Sequence, residues 1–211
     1  MKLSKPLAGI ALALCALPMV ASAGDTGTLY TQLGSNGWGL GYTASVTDNW
    51  ALRGQYNMFK QTYSGNVGDL GPNARLTLDI DWNSFQTLAD WYPTSGGFRL
   101  SGGVVFNNNK ITVAGTGATV GTATNQTVSA EIKMSENPSP YVGLGYSSRP
   151  KFAKGFGFIA DVGILFQDPK VTLTASGASA SDIAIQRAKM EDGIKDLRNM
   201  PVLMLGASYS F

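Results

Sequence analysis

The stretch that decides the fold is the last one, Pro201-Val202-Leu203-Met204-Leu205-Gly206-Ala207-Ser208-Tyr209-Ser210-Phe211. In an extended chain Leu203, Leu205, Ala207, Tyr209 and Phe211 share one face, which is apolar and ends in two aromatics. Gly206, Ser208 and Ser210 lie opposite. A period of two with an aromatic rim suits a β-strand that meets lipid on one side and a polar lumen on the other.

The same pattern recurs upstream. Phe156, Phe158, Ala160, Val162, Ile164 and Phe166 alternate with Gly157, Asp161 and Gln167. Further candidate strands cover about 28–34, 38–46, 50–60, 74–92, a run from Phe98, and 128–146, so that eight are expected with the last. In the 74–92 strand Leu76, Leu78, Ile80 and Trp82 share a face, whereas Phe85, Ala89 and Trp91 take the other. An extra residue inverts every later side chain, which predicts a β-bulge near Asn83-Ser84. Pro138 and Pro140 cannot both sit in a fully paired strand, and they mark a candidate lateral opening in the wall.

Link lengths set the orientation. The links at 47–49, 93–97 and 148–155 are expected to face the periplasm. Those at 61–73, 114–126 and 176–198 are expected to face outward as loops, with the Ser35-Asn36-Gly37 turn. Within the last of them, Ile183, Met190, Ile194 and Leu197 recur at helical spacing. This predicts an amphipathic helix over 180–198, capped by Ser181 or Asp182, that folds onto the rim, touches lipid or covers the mouth.

The N-terminus carries Lys2 and Lys5, a nearly continuous apolar run from Pro6 to Val20, and Ala21-Ser22-Ala23. That is the pattern of a signal peptide, residues 1–23, cleaved to leave a barrel over 24–211. The run of about 15 apolar residues falls short of the roughly 20 a membrane helix needs. Cys15, the only cysteine, lies inside it, and the bulky Leu14 before it argues against lipidation. The formal charge is +2, and without Lys2 and Lys5 acidic and basic side chains balance, so no basic field exists for nucleic acid. Mean hydropathy is 0.00 and charged residues make up 14%, which suits apolar residues spread through alternating strands.

Eight strands leave a lumen that side chains can fill. Alternation points Arg53, Gln55, Asn57, Asp79, Asp81, Arg99, Asn107 and Asp161 inward, together with Glu131 and Lys133. Antiparallel pairing about residue 67 sets Arg53 opposite Asp81, and pairing about 94–95 sets Arg99 near Asp90 if the bulge turns Asp90 inward. A lumen ionic network of Arg53, Asp79, Asp81, Asp90, Arg99 and Asp161 is therefore expected, acting as a plug or as a gate on a narrow ion path. The chain has no histidine, the residue best suited to proton transfer near neutrality, and serines such as Ser84, Ser101 and Ser129 lack a base partner. We expect no catalysis, no metal site and no cofactor.

The leader, the Thr47-Asp48-Asn49 turn, the Asp90-Trp91-Tyr92-Pro93 to Gly96-Gly97-Phe98-Arg99 hairpin, Tyr141-Val142-Gly143-Leu144-Gly145-Tyr146 and terminal Phe211 together resemble the OmpA/OmpW-like small outer-membrane barrels. The resemblance implies an all-β, eight-stranded antiparallel transmembrane β-barrel in the bacterial outer membrane, monomeric and non-catalytic. It implies that Tyr209 and Phe211 form the signal read by the barrel-assembly machinery. The partners it implies are outer-membrane lipid and lipopolysaccharide, with small hydrophobic solutes for OmpW-type members. The expected role is envelope-structural or restricted passage of such solutes. The alternative is an adhesin or receptor working through its outer loops. The 180–198 helix, between the last two strands, departs from that group's usual loop.

Overall fold

The computed structural model describes residues 27–66, 75–94, 96–120, 123–148, 154–176 and 179–211. The signal-peptide expectation, with Cys15, lies outside the described residues. Among the described residues eleven strands are present: β1 (Gly27–Gly34), β2 (Gly37–Ser45), β3 (Trp50–Asn66), β4 (Arg75–Trp91), β5 (Phe98–Asn107), β6 (Lys110–Val120), β7 (Ala123–Lys133), β8 (Ser139–Ser147), β9 (Gly155–Phe166), β10 (Lys170–Ala175) and β11 (Asn199–Ser210). Helix α1 (Ala180–Gly193) and a 3-10 turn (Lys195–Arg198) connect the last two.

Eight of these close a ring in the order β1-β2-β3-β4-β5-β8-β9-β11, every neighbour antiparallel. The terminal strand shuts the barrel against the first, with Leu29 opposite Tyr209 and Gly34 opposite Met204. The β1–β2 hairpin turns through Ser35-Asn36, and Gly37, opposite Gly34 at the start of β2, adopts φ +88°, a conformation open to glycine and costly for a branched residue.

The other three strands continue one side of the wall. Beyond the barrel's upper rim, β3 and β4 run on together, and β6, β7 and β10 add to β4 in that order. The segments 61–66, 114–120 and 123–126 are thus strand rather than loop, the last two lying in β6 and β7, and the expected sixth strand divides into β7 and β8. Strands β5 and β6 keep one register along β4, with Ser84 opposite Asn107 and Asp81 opposite Lys110.

No bulge exists in β4 against β3; the register runs unbroken from Trp50/Trp91 to Asn66/Arg75. Ser84, Gln86, Leu88 and Asp90 are buried inward, and Leu76, Leu78, Ile80 and Trp82 continue that same face. What inverts is the surroundings. Between the rims the outward face meets lipid and is apolar, while above the rim the apolar residues move to the inward face, half-buried at Leu78 and Ile80 and buried at Ile132 and Val171. There Ile80, Ile111, Ile132 and Val171 form a row across four strands. Met190, Ile194 and Leu197 pack onto the cluster of Ile132, Met134 and Val171, so α1 rests against this inner face. Its cap is Ser179, not Ser181 or Asp182: the Ser179 hydroxyl accepts from the Asp182 N–H at 3.2 Å.

Outside the barrel exposed Leu, Val, Ile, Phe and Trp side chains form a band that touches each of the eight ring strands, with Phe156 78% exposed. Toward the short-turn rim it ends in an aromatic girdle. Phe98 meets Tyr146 at 5.0 Å between ring centroids, Tyr146 meets Phe158 at 5.4 Å, and Phe156 meets Tyr209 at 4.9 Å. Trp50 stacks on Trp91 at 6.3 Å and Tyr42 lies 6.2 Å from Phe211. A continuous apolar band of this extent between two rims has lipid as its natural solvent.

Candidate functional site: the lumen

Alternation within the barrel sends polar side chains inward from β1, β3, β4, β5 and β9, and they meet toward the short-turn rim, where Asp90 precedes Trp91 and Arg99 follows Phe98. Arg53 (1% exposed), Arg99 (2%), Asp90 (1%) and Asp161 (5%) form a closed quartet in which each arginine bridges both aspartates. Arg53 places Nε 3.0 Å from Asp90 Oδ2 and donates from Nη1 to Asp161 Oδ2 at 2.9 Å. Arg99 donates from Nη2 to Asp161 Oδ1 at 2.6 Å and places Nε 3.4 Å from Asp90 Oδ2. Two positive and two negative charges cancel, the condition under which ions survive away from water.

Neighbours complete the shell. Gln32 Nε2 donates to Asp161 Oδ2 at 2.6 Å, Ser101 donates to Asp90 Oδ1 at 2.6 Å, and Arg53 also donates to Ser101 Oγ at 3.2 Å. The Arg53 guanidinium carbon stands 5.9 Å from the Tyr30 ring centroid. Gly145 makes room for the quartet: a Cβ there would lie 2.6 Å from the Arg99 guanidinium and 2.7 Å from Asp161.

Above the ions, half the lumen is apolar, with Leu88, Val105, Tyr141, Leu165, Val202 and Met204 in one cluster. The other half is a relay of amides. Tyr30 donates to Gln55 Oε1 at 2.9 Å, Gln55 Nε2 to Asn57 Oδ1 at 2.6 Å, and Asn57 Nδ2 to Ser84 Oγ at 3.3 Å. At the mouth Asn107 Nδ2 donates to Gln167 Oε1, and Gln167 Nε2 to the Leu197 carbonyl, both at 2.9 Å. That last bond ties the segment after α1 to the top of the lumen.

Four of the six expected network residues, Arg53, Asp90, Arg99 and Asp161, therefore come together. Asp79 and Asp81 do not join them. Arg53 stands opposite Leu88, and Asp81 stands opposite Lys60 on the outward face of the extension. Asp79 accepts from Thr62 Oγ1 at 2.5 Å on that face, which also carries Glu131 and Lys133 in cross-strand register with Thr112 and Lys110. Pro138 and Pro140 stand at the start of β8 on the upper rim. Pro140 lies opposite Val104, and pairing of β8 with β9 begins one residue later at Tyr141. Tyr209 and Phe211 lie half exposed in the lower girdle, and the Phe211 N–H donates to the Gly27 carbonyl at 3.0 Å. Tyr30 and Gln32 were not foreseen, although inward polar alternation in β1 carried the signal; Ser101 and Gln167 were read on the polar faces of their strands but not as partners of the network. Among the described residues no group of three or more Cys, Asp or Glu side chains is placed to hold a metal ion.

In overall form the chain is similar to CarO2 of Acinetobacter baumannii, with TM-score 0.60 at 19% identity over 88% of this chain and 98% of that one. CarO of the same organism gives TM-score 0.58 at 19% identity, over 88% and 97%. The fold is that of the small outer-membrane β-barrels. No family model matches the chain, and no curated protein matches it in sequence. The likeness therefore concerns architecture: a closed eight-stranded ring, as the OmpA/OmpW-like resemblance implied.

Proposed function

We propose that the protein is a non-catalytic barrel of the bacterial outer membrane whose role is envelope-structural, with a lumen closed by its own side chains. The observation that carries this reading is the charge-balanced quartet, no member more than 5% exposed, inside a wall whose eight strands are all paired. A water-filled path would leave those groups solvated. Packed as they are, the ions hold one another in the lumen and away from lipid.

The test is single-channel conductance of the refolded barrel in a planar bilayer, beside an Arg53→Ala variant. The expected result is no steady conductance in the wild type, with channel opening or loss of stability in the variant. Steady wild-type conductance would overturn the plug and favour passage of small solutes, with Pro138 and Pro140 as the place to look for an exit through the wall.

A second reading, surface interaction, is favoured by the one-sided extension, which holds Phe59 and Tyr63 exposed above the rim. Substituting both by Ser without loss of binding to host-cell or matrix surfaces would exclude it.

A further inference from the structure

The outward face of the wall is layered in register. Tyr56, Phe85 and Phe106 are direct cross-strand neighbours, the last two stacked at 6.4 Å between centroids. Two residues higher come Met58 and Asn83, with Asn108 beside them, its N–H donating to the Asn83 carbonyl at 3.0 Å. Two residues higher again, Lys60, Asp81, Lys110, Lys133 and Lys170 form a single row across five strands. Aromatics of this kind mark the boundary of the hydrocarbon. Four residues along a tilted strand put the lysines roughly 10 Å above that boundary. A lysine's four-carbon stem can lower its ammonium from there into the headgroup layer.

Lys110, Lys133 and Lys170 stand directly opposite one another, an arrangement that is unfavourable unless something anionic answers it. The protein answers only part. Lys170 pairs with Glu136 at 2.8 Å and Lys133 reaches Glu131 at 3.9 Å, both exposed pairs of little strength. Lys60 and Lys110 make no ion pair among the described residues, although Asp81 lies between them in the row. Beside the row a recess of about 500 Å³ is lined by the amides of Asn83, Asn108 and Asn109, by Ser135, by Lys110 and Lys133, and by the carboxylates Asp81 and Glu136. Amide and ammonium donors at headgroup height suit a phosphate on a sugar or glycerol; an acyl chain attached to it would lie along the apolar band below.

We propose that the lysine row and this recess bind a phosphorylated lipid headgroup of the outer leaflet, with Lys110 and Lys133 as the principal contacts. The inference rests on the membrane placement proposed above and adds the lipid chemistry recognised. It accounts for the one-sided extension: the tall wall presents to the leaflet four lysines in one row, with Asp81 among them and Asp79 and Glu131 one row above, that a barrel ending at its rim would lack.

The test titrates the barrel, refolded in non-ionic detergent, with diphosphorylated lipid A, with the same lipid stripped of phosphate, and with inorganic phosphate. The readout is the thermal unfolding midpoint, and folding of each variant is checked by heat-modifiable mobility. Diphosphorylated lipid should raise the midpoint and the stripped lipid should not. A Lys110→Gln/Lys133→Gln variant should require roughly 30-fold more lipid, from a factor of about five per lysine at an anionic surface. Lys110→Arg/Lys133→Arg should retain binding, as should Lys154→Gln, an exposed charge near the opposite rim. Without lipid the double Gln variant should be no less stable than wild type, because repulsion has been removed. Equal response to both lipids, an equal response to free phosphate, or equal loss in Lys154→Gln would each overturn the proposal. A barrel that inserts into vesicles yet shows no phosphate preference would refute the row while leaving the membrane placement standing.

Discussion

Replacing Arg53 by Met removes half of the positive charge in the lumen while keeping most of the side chain's volume. It deletes the contacts to Asp90 at 3.0 and 3.2 Å, to Asp161 at 2.9 Å and to Ser101 at 3.2 Å. Two carboxylates would then share Arg99 alone, leaving one buried negative charge unanswered. Breaking a buried pair from one side costs about 3–5 kcal/mol, most of it the orphaned partner. The double variant Arg53→Met/Asp161→Asn keeps the lumen neutral, with Arg99 and Asp90 still paired at 3.4 Å. It should therefore be more stable than Arg53→Met by about 1–3 kcal/mol, a coupling of the size seen between members of one network. The assay is equilibrium urea unfolding in lipid vesicles, followed by tryptophan fluorescence and by heat-modifiable mobility. An Arg53→Met barrel within about 1 kcal/mol of wild type, or a double variant less stable than the single, would refute the quartet as a charge-balanced unit.

Gly145→Ala should cost about 1–3 kcal/mol in the same unfolding assay, because its Cβ would press on Arg99 and Asp161; wild-type stability would mean that the quartet has room to move. Tyr209→Ser/Phe211→Ser should lower the heat-modifiable fraction recovered from the membrane, and an unchanged fraction would remove these two from the assembly signal. Met190→Asp/Ile194→Asp should detach α1 from the inner face and expose 180–193 to protease, with barrel stability changed by less than about 0.5 kcal/mol; protection equal to wild type would refute that docking. Lys170's hydrogen bond, and then its charge, hold the Glu136 carboxyl below the usual range. Its pairing thus steadies the 134–138 link above about pH 4.3 and is lost as pH falls through the lower folded value. Protease cleavage there should rise on acidification in wild type and be independent of pH over that window in Lys170→Gln, and a flat wild-type profile would refute the tether.

The barrel was legible because lipid imposes one rule on every strand between the rims: apolar outward, polar inward. Arg53, Arg99 and Asp161 obey it, and so does Asp90. The rule fails at the rim, where Leu78 and Ile80 lie on the face that carries Ser84 and Gln86 lower down. Read as though lipid continued, that switch demands a bulge, and it turns Asp79 and Asp81 into lumen groups. It also shortens β3 to residue 60, which moves the centre of the β3–β4 hairpin and sets Arg53 against Asp81 instead of Leu88. One wrong assumption about solvent thus accounts for the false bulge, two misplaced aspartates and a shifted register. The side chains gave no internal warning, since a period-two pattern reports which face is dry and not where the dry side lies. The lysine row was hidden for the same reason: Lys60, Lys110, Lys133 and Lys170 are scattered over 111 positions of sequence, and only the registers of β3, β4, β6, β7 and β10 align them. Chemistry confined to one hairpin, such as Asp90 with Arg99, can be read from spacing. Chemistry assembled across five strands needs the register of each, and here each register depends on knowing where the membrane ends.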